Sequence, residues 1–368
     1  MNKVRILHIV PTLGYGGVAK FLIHYNDHMD KNKFCFSFVS HGQHESYHDS
    51  LIKDGSQIFY VKPQHEIGTH LYLKQIKDIV KKNKFDIVHI HTGHHTGVMA
   101  AYLKMHGIKH IICHAHTTKC MDPKHEKLMP LFRWLARHYA DSLFACGHDA
   151  GVYCFGTEDF TVIPNGVDLS VFKRASAQES NELKEQLGIP IDCRVIGCVA
   201  AFVPPKNHSF LLRAFAEYHS SNKNSKLLLV GDGQLRKKIE ALVDKYSIGS
   251  DVIFAGNQDN IPLYLSIFDV FALTSHHEGL PVVSAEAQAV GVPCIFSDRI
   301  DHSCDLGVGL VKFLPISEEC VDKWVDNFIH FKPLASQSLI GKRFEETGYE
   351  ISRGALNLSS IYQSLLQN

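Results

Sequence analysis

The sequence predicts an α/β protein with two doubly wound domains, and three observations support that prediction. Short apolar runs rich in β-branched residues alternate with helical patterns of ordinary length. The alternation occurs twice, before and after a polar stretch at residues 173–186. The length of 368 residues is sufficient for two domains, each with its own hydrophobic core. This alternation is typical of parallel sheets that are covered by helices on both faces.

Each domain is expected to hold one such sheet. The strands of the first domain are expected at residues 5–11, 34–40, 56–61, 86–91, 110–115, 142–146 and 160–163. Those of the second are expected at residues 194–202, 226–231, 252–255, 269–274, 293–297 and 311–314. The domains are predicted to comprise residues 1–170 and 171–350, and an amphipathic helix at 351–368 is expected to pack back towards the first domain.

The fold class also locates the expected site. Ligands of doubly wound sheets bind outside the carboxyl ends of the strands, so two such domains that face each other enclose a cleft. We therefore expect the chemistry of this chain at its strand-to-helix turns.

Composition excludes several classes of protein. Lys plus Arg equals Asp plus Glu at 38 each, so the chain presents no strong field to nucleic acid. The ten cysteines form no Cys-x-x-Cys pair, which is typical of reduced thiols in a cytoplasmic protein. No segment approaches the roughly 18 apolar residues of a membrane span, and the first strand is too short for a signal peptide. Any membrane contact is expected to be peripheral.

Two carboxylates near the end of the second domain form the most informative motif. Glu278 and Glu286 flank a Gly-Leu-Pro turn that leads from an apolar strand into a helix. Backbone N–H groups at a helix start favour an anion such as a phosphate. A carboxylate about two turns into the helix can accept hydrogen bonds from a polyol such as a ribose. The motif therefore predicts a site for a nucleotide joined to a sugar.

Lys206 is the expected cationic partner of that phosphate. It lies in a turn after the first strand of the second domain, with Asn207 at the cap position of the next helix. The chain contains no Asp-x-Asp pair that could hold a divalent ion on a diphosphate. We therefore expect no metal and no other cofactor.

Two turns of the first domain are further candidates. Gly14, Gly16 and Gly17 follow the first strand, and their spacing is equally compatible with a tight turn and with a phosphate or acceptor contact. His114 and His116 are two residues apart on the fifth strand, so both imidazoles are expected on one face. With the polar residues that follow them, they indicate a sugar or phosphate contact.

Four more histidines lie in the last part of the fourth strand and just after it, namely His89, His91, His94 and His95. Their spacing matches no common zinc signature, and no cysteine or carboxylate lies close to them in the sequence. The sequence therefore predicts no metal site here.

Taken together, the motifs resemble those of retaining glycosyltransferases of family four, which have the two-domain Rossmann-like glycosyltransferase-B architecture. The resemblance is to members that build bacterial exopolysaccharide, capsule or O-antigen, and it covers almost the whole chain. The segments that carry it are Ile6-Leu-His-Ile-Val-Pro-Thr-Leu-Gly-Tyr-Gly-Gly17, Asp86-Ile-Val-His-Ile-His91, His114-Ala-His116, Ile163-Pro-Asn-Gly-Val-Asp168, Lys206-Asn-His208, Val230-Gly-Asp-Gly233 and Glu278 to Glu286.

The resemblance implies roles for residues of the second domain. Lys206, next to Asn207, would bind the donor diphosphate, and Glu286 would bind the ribose hydroxyls. Glu278, with the backbone of Gly279 and Leu280, would hold the donor sugar and its phosphate.

In the first domain, the resemblance implies that His114 contacts the donor sugar near its reacting end, which makes His114, Lys206 and Glu278 the candidate catalytic residues. Gly16 and Gly17 would approach the diphosphate. The acceptor-side candidates are Tyr15, His116, Thr117 and Lys119.

The implied activity is metal-independent transfer of a hexose or N-acetylhexosamine, with retention, from a UDP-sugar or other nucleotide-sugar donor. The implied acceptor is a glycan or a lipid-linked glycan at the inner face of the cytoplasmic membrane. The basic, apolar segment from Lys119 to Arg137 is compatible with a membrane-surface helix and with a core helix.

One position departs from the family. Members usually carry an arginine that shares the diphosphate with the lysine, and Ala201 stands at that position. Either another basic residue such as Arg299 replaces it, or the chain is a non-catalytic nucleotide-sugar-binding relative that partners an active glycosyltransferase. A nucleotide-sugar epimerase is a further alternative.

Overall fold

The computed structural model describes residues 3–120, 122–278 and 280–367. It divides the chain into two compact units, of which one comprises residues 1–166 and 348–368 and the other residues 167–347. Each unit contains one parallel sheet. The predicted fold class, α/β with two doubly wound domains, is confirmed.

The first unit contains a seven-stranded parallel sheet in the order β3-β2-β1-β4-β5-β6-β7. Its strands are β1 Val4–Ile9, β2 Phe34–Ser40, β3 Gln57–Tyr60, β4 Ile87–Ile90, β5 His110–Ala115, β6 Ser142–Ala145 and β7 Thr161–Val162. Its helices are α1 Gly17–His28, α2 His48–Lys53, α3 Gln64–Ile67, α4 Thr69–Asn83, α5 Thr96–Met105, α6 Pro123–Tyr139 and α7 His148–Phe155. The strand order reverses between β1 and β4, where ligands of such sheets bind.

The second unit contains a six-stranded parallel sheet in the order β10-β9-β8-β11-β12-β13. Its strands are β8 Arg194–Val199, β9 Ser225–Val230, β10 Val252–Gly256, β11 Val270–Leu273, β12 Cys294–Ser297 and β13 Val311–Leu314. Its helices are α8 Ala177–Gln186, α9 His208–Ser221, α10 Arg236–Lys245, α11 Ile261–Ser266, α12 Val282–Val290, α13 Val321–His330 and α14 Gln337–Glu346. The strand order reverses between β8 and β11.

The central strands are buried on both faces because helices cover both sides of each sheet. In β1, for example, Ile6, Leu7 and Ile9 are fully buried although they point to alternate faces. Parallel strands of this kind have continuous apolar sequences instead of the alternating pattern of half-exposed strands. That is why short apolar runs located the strands.

The last helix, α15 (Ile351–Leu365), returns to the first unit. Glu350 caps it by accepting hydrogen bonds from the backbone N–H groups of Ser352 and Arg353. Its apolar face, including Ile351 and Tyr362, joins the core that β1, β2 and α1 also build. No helix among the described residues has the length and apolar character that crossing a bilayer requires.

Candidate functional site

In the second unit, the turns after β8 and β11 bring Lys206 and Glu278 together. The ammonium of Lys206 donates a hydrogen bond to Glu278 Oε1, and the hydroxyl of Ser275 donates to the same oxygen at 2.7 Å. β8 and β11 are neighbours in the sheet, so both turns lie at its carboxyl edge. The sequence assigned Lys206 and Glu278 to different parts of the donor, and it did not predict this contact or the part played by Ser275.

Two hydrogen bonds to backbone carbonyls hold the two turns together. The N–H of His276 donates to the carbonyl of Pro205 at 2.8 Å, and the hydroxyl of Thr274 donates to the carbonyl of Asn207 at 3.0 Å. Asn207 adopts a left-handed conformation (φ 51°) at the predicted cap position of α9. Among the described residues, its side chain makes no capping bond to the helix N–H groups and instead accepts from the hydroxyl of Ser209 at 3.0 Å.

Helix α12 places Glu286 inside the second unit. Glu286 is 1% exposed and is the fifth residue of the helix, so it lies about one turn from the start and not two as we expected. Leu280 is buried just before the helix, whereas Gly279 lies outside the described residues. No side chain caps α12 among the residues described around Pro281, its N-cap residue. The N–H of Ser284 donates to the carbonyl of Pro281 at 3.0 Å, so an anion at this helix start would meet the N–H groups that precede Ser284.

The segment that contains Ala201 packs tightly on two glycines after β9. A Cβ atom on Gly231 would lie 2.2 Å from the carbonyl oxygen of Ala200, and one on Gly233 would lie 2.7 Å from that of Phe202. The Val230-Gly-Asp-Gly233 motif therefore lets two backbones approach closely. Ala201 itself is exposed.

In the first unit, hydrogen bonds to Glu45 hold the glycine turn after β1. The sequence motifs did not reveal this role of Glu45. Glu45 accepts hydrogen bonds from the hydroxyl of Thr12, from the N–H of Leu13 at 2.6 Å and from the hydroxyl of Ser40 at 2.9 Å. Burial raises the pKa of this carboxyl, but these bonds outweigh it, and the pKa is lowered overall. No local motif marks Glu45, because an acidic residue in a loop carries no sign of the backbone groups that it binds.

The turn itself presents Tyr15, Gly16 and Gly17. Tyr15 is half exposed, Gly16 is the N-cap residue of α1 and Gly17 is its first residue. A Cβ atom on Gly16 would meet nothing closer than 4.0 Å, so the turn does not require glycine there for its own packing. The open space beside Gly16 allows a ligand to approach the backbone closely.

His114 and His116 belong to a row of hydrogen-bonded imidazoles across β1, β4 and β5. Their rings stack with centroids 4.1 Å apart, as the predicted common face requires. His114 Nδ1 lies 3.1 Å from His89 Nε2, and His116 Nε2 lies 2.9 Å from His91 Nδ1. His114 is fully buried, and its Nε2 has no hydrogen-bond partner among the described residues, whereas His116 is half-buried.

His8 and Tyr362 extend the row beyond the four histidines just described. His8 Nδ1 lies 3.1 Å from His91 Nε2, and the hydroxyl of Tyr362 on α15 lies 2.8 Å from His89 Nδ1. Burial lowers the pKa of His8 and of His116 to about 3, and it lowers those of His89, His91 and His114 well below the usual value. The folded protein therefore keeps these five imidazoles neutral.

The remaining acceptor-side candidates lie just beyond β5. The hydroxyl of Thr117 donates to the carbonyl of Lys119 at 2.9 Å and accepts from its N–H at 3.3 Å, which forms a tight turn. The side chain of Lys119 is exposed. Tyr15, His116, Thr117 and Lys119 thus all lie at the carboxyl edge of one sheet.

Comparisons with known proteins identify relatives of the chain. The family model Glycosyltransferase Family 4 matches residues 15–171, and Glycosyl transferases group 1 matches residues 179–306. A putative glycosyltransferase of Bacillus subtilis (strain 168), EpsF, is 32% identical over 98% of this chain and 97% of its own length. The Escherichia coli UDP-Gal:alpha-D-GlcNAc-diphosphoundecaprenol alpha-1,3-galactosyltransferase is 30% identical, over 61% of either chain.

Solved structures share the fold. The crystal structure of Anabaena Alr3699/HepE in complex with UDP and glucose matches with a TM-score of 0.79 and 17% identity, over 98% of this chain and 99% of that one. Sucrose-phosphate synthase from Thermosynechococcus elongatus matches with a TM-score of 0.79 and 16% identity, over 99% and 100%. At these identities the likeness concerns the fold alone. The family resemblance that the motifs predicted is confirmed.

The histidine row predicts acid sensitivity of the folded protein. Because the folded-state pKa values lie below the unfolded value of about 6.5, stability is full above that pH and is lost as the pH falls below it. Each of these imidazoles lowers the free energy of unfolding by about 1.4 kcal/mol for every pH unit below the unfolded pKa. We expect the melting temperature, measured by calorimetry from pH 8 to pH 5, to stay level above pH 7 and to fall steeply below about 6.5. A level profile down to pH 5 would contradict the neutral row.

Proposed function

The chain belongs to glycosyltransferase family 4, with a second domain of the group 1 type, and on this premise we propose that it is a retaining, metal-independent transferase. The donor is a nucleotide diphosphate sugar, specifically a UDP-sugar that carries a hexose or N-acetylhexosamine. The acceptor is a hydroxyl of a glycan or lipid-linked glycan in bacterial polysaccharide synthesis. The observation that carries the proposal is the contact of Lys206 with Glu278 beside the start of α12.

This contact positions a cation for a leaving diphosphate. A lysine ammonium has three N–H donors, and Glu278 uses one of them, so the others remain for phosphate oxygens. Glu278 is itself oriented by Ser275. The ammonium is thereby held in place before the donor arrives, and the N–H groups at the start of α12 add a second source of positive potential.

The proposed transfer step uses this arrangement. The bond between the anomeric carbon and the diphosphate oxygen breaks, and the acceptor oxygen bonds to that carbon from the face that the diphosphate leaves, so the configuration is retained. The acceptor proton passes to the departing phosphate oxygen. Lys206 and the helix N–H groups stabilise the negative charge of the diphosphate while that bond breaks. Glu286 accepts hydrogen bonds from the ribose hydroxyls and fixes the nucleotide.

Two findings about similar proteins support UDP as the nucleotide. The Escherichia coli relative is named for UDP-Gal, and the Anabaena protein of the same fold is in complex with UDP. A more distant Corynebacterium glutamicum relative, 31% identical over 37% of this chain, is named as GDP-mannose-dependent. Because these relatives are named for different nucleotides, the binding of UDP and of GDP to this chain has to be compared by experiment.

We expect UDP to raise the melting temperature more than GDP or ADP does, and a UDP-sugar to be turned over with a lipid-linked or free glycan acceptor.

Lys206→Ala should lower kcat by roughly 30- to 1000-fold, because a charge-assisted contact to the leaving group is worth about 2–4 kcal/mol. Glu286→Gln, which preserves side-chain volume, should weaken UDP binding roughly 10- to 100-fold. Rates and UDP binding by calorimetry measure these effects.

Lys238→Ala on α10 is the control, since Lys238 is exposed on the surface of the same unit. It should leave both quantities unchanged. If the Lys206 and Glu286 variants both retained full activity, the site assignment would be wrong. If the folded protein turned over no donor, the catalytic proposal would fail.

Ala201 stands where family members carry an arginine that binds the diphosphate. If the chain is catalytic, another residue has to supply that positive charge. We propose that Arg299 supplies the missing cation. Arg299 follows β12 and precedes Ile300, which pairs with Glu278 in a short parallel bridge. Its side chain is 67% exposed and lies 3.4 Å from its neighbour Asp298, so it is not held by the core.

Arg299→Ala should therefore lower the transfer rate by roughly 30- to 1000-fold, as loss of one cation from the leaving group does. Ala201→Arg should give no large gain, because the charge is already supplied. A gain of more than roughly 30-fold in Ala201→Arg would instead support a weakened or non-catalytic relative that serves a partner transferase.

Helix α6 is the proposed contact with the membrane. Met129 and Phe132 point into the core, whereas Leu128, Leu131 and Trp134 are 45–49% exposed on another face. Lys124 and Lys127 belong to the same helix and are exposed, and their positive charge suits an anionic surface. We place the enzyme in the cytoplasm, with this face against the inner surface of the membrane that holds a lipid-linked acceptor.

The protein is therefore expected to float with vesicles that contain anionic lipid and not with purely zwitterionic vesicles. Replacing Leu131 and Trp134 with Ser should abolish flotation, because apolar area and charge attraction act together. Leu356→Ser on α15 is the control, since Leu356 is 69% exposed elsewhere. Flotation that survives the double substitution would rule out this face.

A further inference from the structure

A second cluster of ligand-type side chains lies at the carboxyl edge of the first sheet. His94 lies in the short 3₁₀ turn Gly93–His95 after β4, Cys120 in the loop after β5, and His125 in the first turn of α6. His94 Nε2 lies 3.3 Å from His125 Nδ1 and 3.4 Å from Cys120 Sγ. All three donor atoms lie within 4.8 Å of one another. We call this group the His-Cys-His cluster.

These distances are those of ligands around one tetrahedral zinc ion. With nitrogen ligands about 2.0–2.1 Å and a thiolate about 2.3 Å from the ion, tetrahedral angles place two nitrogens about 3.4 Å apart and a nitrogen and a sulfur about 3.6 Å apart. The two separations in the cluster, 3.3 and 3.4 Å, are close to these values. A small expansion of the cluster accommodates the ion.

The same three atoms also make hydrogen bonds. The thiol of Cys120 donates to the backbone carbonyl of Asp122 at 3.3 Å, and His94 Nε2 lies within hydrogen-bond distance of His125 Nδ1. Cys120 Sγ nevertheless lies only 3.4 Å from His94 Nε2, so one thiol sulfur and two imidazole nitrogens converge on one point. A metal ion uses a lone pair from each of the three atoms, and two imidazoles with a thiolate are ligands that zinc prefers.

The surroundings of the cluster provide a fourth ligand and a route of entry. Asp122 Oδ2 lies 3.9 Å from His125 Nδ1, while Asp122 Oδ1 accepts the N–H of Lys124 and caps α6. Either this carboxylate or a water molecule completes a tetrahedral set. His94 and His125 are half-buried, so an ion reaches the cluster from solvent.

The histidine row beside it is a poorer site for a metal. His8, His89 and His91 have donor atoms that also lie within 4.8 Å of one another, but all three side chains are buried. Both ring nitrogens of His89 and of His91 already bond to other histidines of the row or to Tyr362, and so does Nδ1 of His8, which leaves only His8 Nε2 without a partner among the described residues. An ion there would have to break these bonds inside the core.

We propose that His94, Cys120 and His125 bind a zinc ion that fastens the loop after β5 to the turn after β4. The loop after β5 also carries Thr117 and Lys119, two of the acceptor-side candidates. The ion therefore orders the acceptor side of the first unit. It takes no part in the departure of the diphosphate, which the proposed function assigns to residues of the other unit.

The proposal is tested with the full chain, expressed in medium with zinc and purified under reducing conditions. We expect near-stoichiometric zinc by elemental analysis. After zinc removal, Co²⁺ should give the visible bands of a tetrahedral site and a thiolate-to-cobalt charge-transfer band in the near ultraviolet. Cys120→Ser should abolish the charge-transfer band, and His125→Asn should weaken zinc binding at least about 100-fold.

Two controls exclude other thiols and imidazoles. Cys35→Ser changes another cysteine that is partly exposed, and His138→Asn changes an exposed histidine of α6 outside the cluster. Both should retain the spectrum and the affinity of the unmodified protein. Circular dichroism of each variant establishes that it is folded. Absence of the charge-transfer band in the unmodified protein, or its persistence in folded Cys120→Ser, would overturn the proposal.

A kinetic readout separates this site from the donor site. Zinc removal should raise the KM for the acceptor and leave UDP binding unchanged, since the cluster and the donor residues belong to different units. Because zinc content and the cobalt spectrum need no turnover, they stand whether or not the proposed transferase activity is found. A chelator that weakened UDP binding and left the acceptor KM unchanged would contradict an acceptor-side role.

Discussion

The parallel pairing of neighbouring strands is the constraint on which every site in this protein depends. Parallel strands all end at the same edge of the sheet, so turns that are far apart in sequence meet when their strands are adjacent. β8 and β11 are adjacent, which brings Lys206 to Glu278 across 72 positions of sequence. β4 and β5 are adjacent as well, which brings His94 to Cys120.

The same pairing explains why polar side chains lie inside the first unit. His8, His89 and His114 stand on β1, β4 and β5, three consecutive strands of the sheet, in a region covered by α1 and α15. A buried imidazole has to find a hydrogen-bond partner, and the neighbouring strand supplies one at about the same level. The row therefore stabilises the sheet only while its members stay neutral, and α15 closes it through Tyr362.

Much of the fold and part of the site could be predicted from local patterns. Every expected strand is present, because strands buried on both faces have apolar sequences that turns interrupt. Glu286 lies one turn into α12 and not two turns as expected. The ion pair of Lys206 with Glu278 was not predicted at all. Glu45 was also missed, since an acidic residue in a loop has no local signal for the backbone that it holds.

The sequence by itself determined the fold class, the strand positions, the family and the residue types of the candidate site in the second unit. Hydrophobic periodicity and short motifs are local properties of the chain, so the order of the amino acids is enough to recognise them. Only the tertiary structure decided which side chains meet, because that depends on the order of the strands in each sheet. The histidines after β4 have no zinc spacing in the sequence, and His94 lies beside Cys120 only because β5 pairs with β4 in the sheet.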